Sequence, residues 1–133
     1  MTPDVLARKI SRVEDKLQQI AALLPHTLAE FASARSTRDL CAFYLAMAIE
    51  DCIDIAEHII ARNGWGTPDS SGAAFRLLAE RKTLTLQLAE QMAQAGGMRN
   101  AILHQYDNID WQLVFLALQD LSRIREFLVA VRR

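Results

Sequence analysis

The run Leu40 to Ile49 holds only Leu, Cys, Ala, Phe, Tyr, Met and Ile, so a helix through it is apolar on every side. It sits inside a longer helical stretch, about 39–63, that meets no glycine or proline until Gly64. A helix apolar all round is buried all round. In a small protein that means the centre of a bundle or an oligomer interface. Past Ile49 the stretch gains a polar stripe of Glu50, Asp54, Glu57 and His58, which helical spacing places on one face.

The rest of the chain reads as helices that surround this one. Ala (20) and Leu (18) dominate over 5 Gly and 3 Pro, a helix-forming bias. A first helix starts at Thr2-Pro3-Asp4, with Thr2 as cap, Pro3 at the first helical position and Asp4 against the dipole. Its stripe of Leu6, Ile10, Val13, Leu17, Ile20 and Leu24 has coiled-coil-like steps and ends at Pro25. Residues 26–38 read as a short helical turn and linker, with a cap for the second helix among Ser36 to Asp39. Asn63-Gly64 closes that helix, and Gly64 to Gly72 is the one clear loop. A short helix follows at about 73–81. Thr83 is a cap for a fourth helix that Gly96-Gly97 weakens or bends before it resumes over 98–104. Gln105 to Ile109 is a tight connection, and Asp110 caps a last helix over 111–131. Its seam is Val114, Ala117, Leu121, Ile124, Leu128 and Val131, with Trp111, Phe115 and Leu118 as a second apolar flank. The expectation is one all-α domain over 1–133, an up-and-down bundle of about five helices. The surplus apolar flanks point to a homodimer.

A length of 133 residues suits a single core, and 51% hydrophobic with 23% charged residues argues against disorder. Net charge −1 excludes a globally cationic nucleic-acid binder but not a local basic pocket. No signal peptide is expected from the residues at the start, and the longest uncharged run, Leu17 to Ala29, is 13 residues and contains Pro25. Crossing a membrane takes about 20 apolar residues. Cys41 and Cys52 sit about 16 Å apart on one helix, too far to bridge. Two buried thiols imply a reducing compartment, and the cytoplasm is the expected location.

GxxxxGK[ST], GxGxxG, HExxH and CxxC are all absent. The residues three before His58 and His104 are Ile55 and Ala101, which removes the Glu-x-x-His pattern of carboxylate-bridged metal bundles. No metal site is expected. What remains is the segment from Gly97 to Asp110, which gathers Arg99, Asn100, His104 and Tyr106 at a helix end. Asn100 and His104 are four apart and share a face, so the amide can fix an imidazole tautomer for acid–base work. Arg99 and His104 are five apart, about 140° around a helix, and converge if the Arg wraps or the helix frays. An Arg beside a His offers phosphate binding with proton transfer. The same residues also admit a structural reading, with Arg99 paired to surface carboxylates, His104 closing the helix and Tyr106 at an interface.

The stretch Arg99-Asn-Ala-Ile-Leu-His-Gln-Tyr106 resembles the Arg-x4-His-x-Tyr motif of HepT-like toxins in the HEPN superfamily. The second helix, the Gly64-Trp-Gly-Thr-Pro-Asp-Ser loop, the Ala-Phe-Arg-Leu-Leu-Ala-Glu80 helix and the Tyr-Asp-Asn-Ile-Asp-Trp111 passage resemble that family in the same order. The resemblance implies the toxin half of a toxin–antitoxin pair, a homodimeric endoribonuclease that cuts RNA without a metal ion. It implies a nucleotidyltransferase-type antitoxin as partner. Arg99 and His104 become the catalytic pair, with Asn100 orienting His104 and Asp54 as an acidic support; Asp54 can equally belong to a solvated polar face. Tyr106 contacts RNA and receives AMP from the partner, so the only group attached is AMP on the neutralised form, and no cofactor is expected. The competing class is a non-catalytic helical subunit that holds nucleotide or substrate for a nucleotidyltransferase.

Overall fold

The computed structural model describes the backbone of residues 3–133 and the side chains from Val5 onward except that of Tyr106. The proposed Thr2 cap and the Asp4 side chain lie outside the described residues. The described residues form seven α-helices and one 3-10 turn, and no strand. They run α1 (Pro3–Leu23), α2 (Leu28–Ser33), α3 (Arg35–Asn63), α4 (Ser71–Glu80), α5 (Leu86–His104), the turn Tyr106–Asn108, α6 (Trp111–Gln119) and α7 (Ser122–Arg132). The all-helical expectation holds, while the count of about five is corrected to seven.

α3 is the central element. Cys41, Ala42, Leu45, Ala46, Ala48, Ile49, Cys52, Ile53, Ile55, Ala56 and Ile60 are all buried on it. Four of these are alanines and two are cysteines, small side chains at the centre of the bundle. α1 lies against it through Ile10, Val13, Leu17 and Ile20. Lys9 reaches Asp54 and Lys16 reaches Asp51, each at 2.5 Å, so the two helices run antiparallel. The Leu40–Ile49 run is not buried on every side: Leu40 and Phe43 are exposed, and Met47 is half-buried.

The extra helices have local causes. Thr27 caps α2 by accepting from the Glu30 N–H, and the short helical turn expected within 26–38 is this six-residue helix. Phe31 from α2 then packs at a tilt against Phe115 and meets Trp111 edge-on, and the Arg38 guanidinium covers Trp111 at 4.0 Å. Part of the apolar flank attributed to a dimer is thus consumed within the protomer. Thr85, not Thr83, caps α5, accepting from the Leu88 N–H at 3.1 Å. α5 runs unbroken through Gly96, which is buried where α4 begins. A Cβ there would stand 3.0 Å from the Ser71 hydroxyl, so this glycine serves helix contact. The expected last helix divides at Asp120, whose carboxylate accepts from the Ser122 N–H and starts α7 afresh. Gly64 closes α3 in the left-handed conformation at φ +66°, as its place after Asn63 predicts.

Candidate functional site

Arg99 and Glu50 join α5 to α3. The Arg99 guanidinium forms an ion pair through Nη1 with Glu50 Oε2, and its Nε donates to Asn100 Oδ1 at 2.9 Å. The Arg99 side chain is only 17% exposed, against 50% for Glu50. The cation is therefore held in a fixed place with one carboxylate oxygen and one amide oxygen on it. Charge-assisted bonds of this kind are the strong class, and an Arg fork keeps further donors for a second anion.

His104 is the last residue of α5 and is exposed. The Gln105 N–H still bonds the Ala101 carbonyl, so the helix does not fray before the histidine. Five residues on an intact helix put His104 about 7.5 Å further along the axis and about 140° around from Arg99. The described bonds do not join the two side chains. A ligand that takes one of the remaining guanidinium donors and also reaches the imidazole must span the helix end between them. The 3-10 turn begins at Tyr106 directly after it, with the Asn108 N–H bonded to the Gln105 carbonyl. Asp110 then caps α6, accepting from the N–H groups of Gln112 and Leu113.

Two expected supports stand elsewhere. Asn100 was expected to orient His104, but its described bond is to Arg99. Asp54 lies one turn beyond Glu50 on the same face of α3, and its carboxylate is drawn to Lys9 of α1. The acid that meets Arg99 is Glu50. Spacing alone put both acids on one stripe. The register of α3 against α5 chooses between them, and helical periodicity carries no register. His58 is half-buried one turn further on. Cys41 and Cys52 are buried free thiols. Burial raises both above the ordinary thiol range, and Asp51 adds to the effect at Cys52, so neither is a ready nucleophile. Among the described residues no three His, Cys, Asp or Glu are placed to hold a metal ion. No described helix is long and apolar enough to cross a membrane.

Comparison with known proteins gives one answer. A family model described as Ribonuclease HepT-like matches residues 13–131. A protein named tRNA nuclease HepT from Aphanizomenon flos-aquae is 30% identical over 113 residues, covering 80% of this chain and 77% of that protein. A protein named mRNA nuclease HepT from Shewanella oneidensis is 28% identical over 116 residues, covering 87% and 86%. The fold is similar to that of a solved tri-AMPylated Shewanella oneidensis HEPN toxin in complex with MNT antitoxin. Its TM-score is 0.91 at 26% identity, over 98% of each chain. A solved toxin–antitoxin structure with AMP-PNP gives a TM-score of 0.90 at 25% identity, over 98% of this chain and 99% of that one.

Proposed function

The chain belongs to the HepT-like ribonuclease family, and from that premise we propose that it is the cytoplasmic toxin of a toxin–antitoxin pair, a metal-independent endoribonuclease. The observation that carries the reading is the Arg99 guanidinium, held between Glu50 and Asn100 on the helix that ends in exposed His104. Arg99 clamps the scissile phosphate. His104 takes the proton of the adjacent ribose 2′-hydroxyl as general base. The 2′-oxygen then bonds to phosphorus, and charge on the pentacoordinate centre is stabilised by the guanidinium. The bond from phosphorus to the 5′-oxygen breaks and that oxygen is protonated. The products are a 2′,3′-cyclic phosphate and a 5′-hydroxyl. Glu50 takes the supporting part expected of Asp54, fixing Arg99 in position.

The protein works as a homodimer. Leu40 and Phe43 stay exposed on α3, Phe43 two turns before Glu50, and so does Leu103, one turn after Arg99. A second protomer on this surface would cover apolar area and bring two sites together. The antitoxin is a nucleotidyltransferase that transfers AMP from ATP to the Tyr106 hydroxyl: the phenolic oxygen bonds to the α-phosphorus, pyrophosphate leaves and the phenolic proton is lost to solvent. The added phosphate is an anion two residues from His104 and competes with RNA for Arg99.

The test is RNA cleavage in EDTA by protein made without its partner. Arg99→Ala should lower the rate about 10²–10³-fold. His104→Ala should lower it about 10²–10⁴-fold while RNA binding persists. Full cleavage by His104→Ala contradicts the assignment. Co-expression with the partner should add AMP mass to wild type and none to Tyr106→Phe; a fully modified Tyr106→Phe contradicts the modification site.

A further inference from the structure

The other end of α5 carries a second surface with different chemistry. A groove of about 910 Å³ runs between the α4–α5 connection and α7. Its floor is aliphatic, with Leu84 and Leu88 buried beneath Leu86 and Val129. Leu86 is 68% exposed and Val129 51%, so two large apolar side chains stand open to water here. Lys82, Arg125 and Arg133 line the groove against one carboxylate, Glu126. Among the described residues Lys82, Arg125 and Arg133 form no ion pair, whereas Arg76, Arg99 and Arg132 each do. Along α7 and its C-cap the wall runs from Ser122 through Arg125, Glu126 and Val129 to Arg133, a stripe about 16 Å long. That is the length of three turns of a docked helix.

Lys82 adds an independent sign. It has φ +66°, the only non-glycine among the described residues with positive φ. It follows Arg81, the C-cap of α4, in a conformation that glycine adopts without strain. The backbone gains nothing from lysine there; the side chain supplies a cation to the groove.

We propose that this groove docks an acidic amphipathic helix of the nucleotidyltransferase partner. The proposal rests on the partner reading above. Three alternatives fit less well. A two-fold contact with a second copy would set the same unpaired cations face to face. A head-to-tail contact would need an acidic, apolar surface elsewhere on the chain, and on α3 the acids Glu50, Asp51 and Asp54 are already engaged by Arg99, Lys16 and Lys9. RNA favours aromatic platforms, and the groove has no aromatic lining. An apolar floor with a cationic rim matches helix-in-groove recognition. Leu86 lies about 27 Å along α5 from His104, so the partner can hold the protein here without covering the RNA site.

The experiment titrates purified partner into the full chain as wild type, Leu86→Glu, Arg125→Glu and Lys82→Gly, and measures RNA cleavage and molar mass without partner. Leu86→Glu and Arg125→Glu should each weaken partner binding at least tenfold with cleavage within twofold of wild type. Lys82→Gly should weaken binding severalfold while its unfolding temperature stays level or rises, which separates docking from folding. Unchanged affinity in all three overturns the proposal. A fall in RNA cleavage assigns the groove to RNA instead, and a fall in molar mass assigns it to a second copy; either result overturns the proposal. If wild type binds no partner, the partner reading itself fails; if wild type cleaves no RNA, only the nuclease reading fails, and the affinities still decide the docking surface.

Discussion

α5 ends in two opposite ways. At its C-terminal end Arg99 is mostly covered, paired with Glu50 and bonded to Asn100, and an exposed imidazole follows on the same helix. At its N-terminal end the cations around Leu86 form no ion pair among the described residues and surround open aliphatic surface. A fixed cation with one anion already on it suits one small charged group in one geometry. Unpaired cations around an apolar floor suit a broad partner surface. On the proposed readings, the first arrangement positions an atom for chemistry and the second provides area for association.

The sharpest way to break this contrast is to loosen the tethered end alone. Glu50→Gln keeps the shape and removes the charge that holds Arg99. Displacement of a positioned group by about 1 Å can lower a rate a hundredfold, so cleavage should fall about ten- to a hundredfold. Asp54→Asn, one turn away, should leave cleavage within about twofold. It should change stability by about 1 kcal/mol at most, as exposed ion pairs do. Parallel cleavage rates and urea melts check both. Equal rate losses in the two variants would return Asp54 to the site.

That pair of acids also marks how far the sequence could be read. The apolar stripe of α1, the Gly64 closure, the Asp110 cap and the burial of Cys41 and Cys52 follow from local chemistry, and the structure has them. The Arg99 to Tyr106 segment stood out by its residue types. What periodicity could not supply is register between helices, which decides that Glu50 and not Asp54 faces Arg99. Nor does it show side chains that wrap, which is how Asn100 comes to serve its neighbour Arg99 instead of His104. The apolar flank of Trp111 and Phe115 points to a dimer in the sequence because periodicity does not show that Phe31, on the short helical turn expected in 26–38, packs against it. The break at Asp120 is not legible in the sequence because its neighbours continue the helical stripe, and the carboxylate's bond to the Ser122 N–H is what makes it.

The smallest effect concerns that break, remote from both ends of α5. Ser122, through its side chain and its backbone N–H, holds the Asp120 carboxyl below the usual carboxylate range. A carboxyl depressed in the fold stabilises it above the unfolded value and loses that contribution as pH falls through the folded value. The melting temperature of wild type should therefore drop more between pH 7 and pH 3 than that of Asp120→Asn. Parallel curves for the two proteins would remove Asp120 from the account of the α6–α7 junction.

The central claim is that Arg99 and His104 cut RNA through the substrate's own 2′-hydroxyl. The most direct measurement is the chemistry of the ends left by wild-type protein in EDTA, read by mass spectrometry of a defined RNA. A 2′,3′-cyclic phosphate with a 5′-hydroxyl, lost when the 2′-oxygen at the cut site is methylated, is the predicted result. A 3′-hydroxyl with a 5′-phosphate, or undiminished cutting of the methylated RNA, would contradict it.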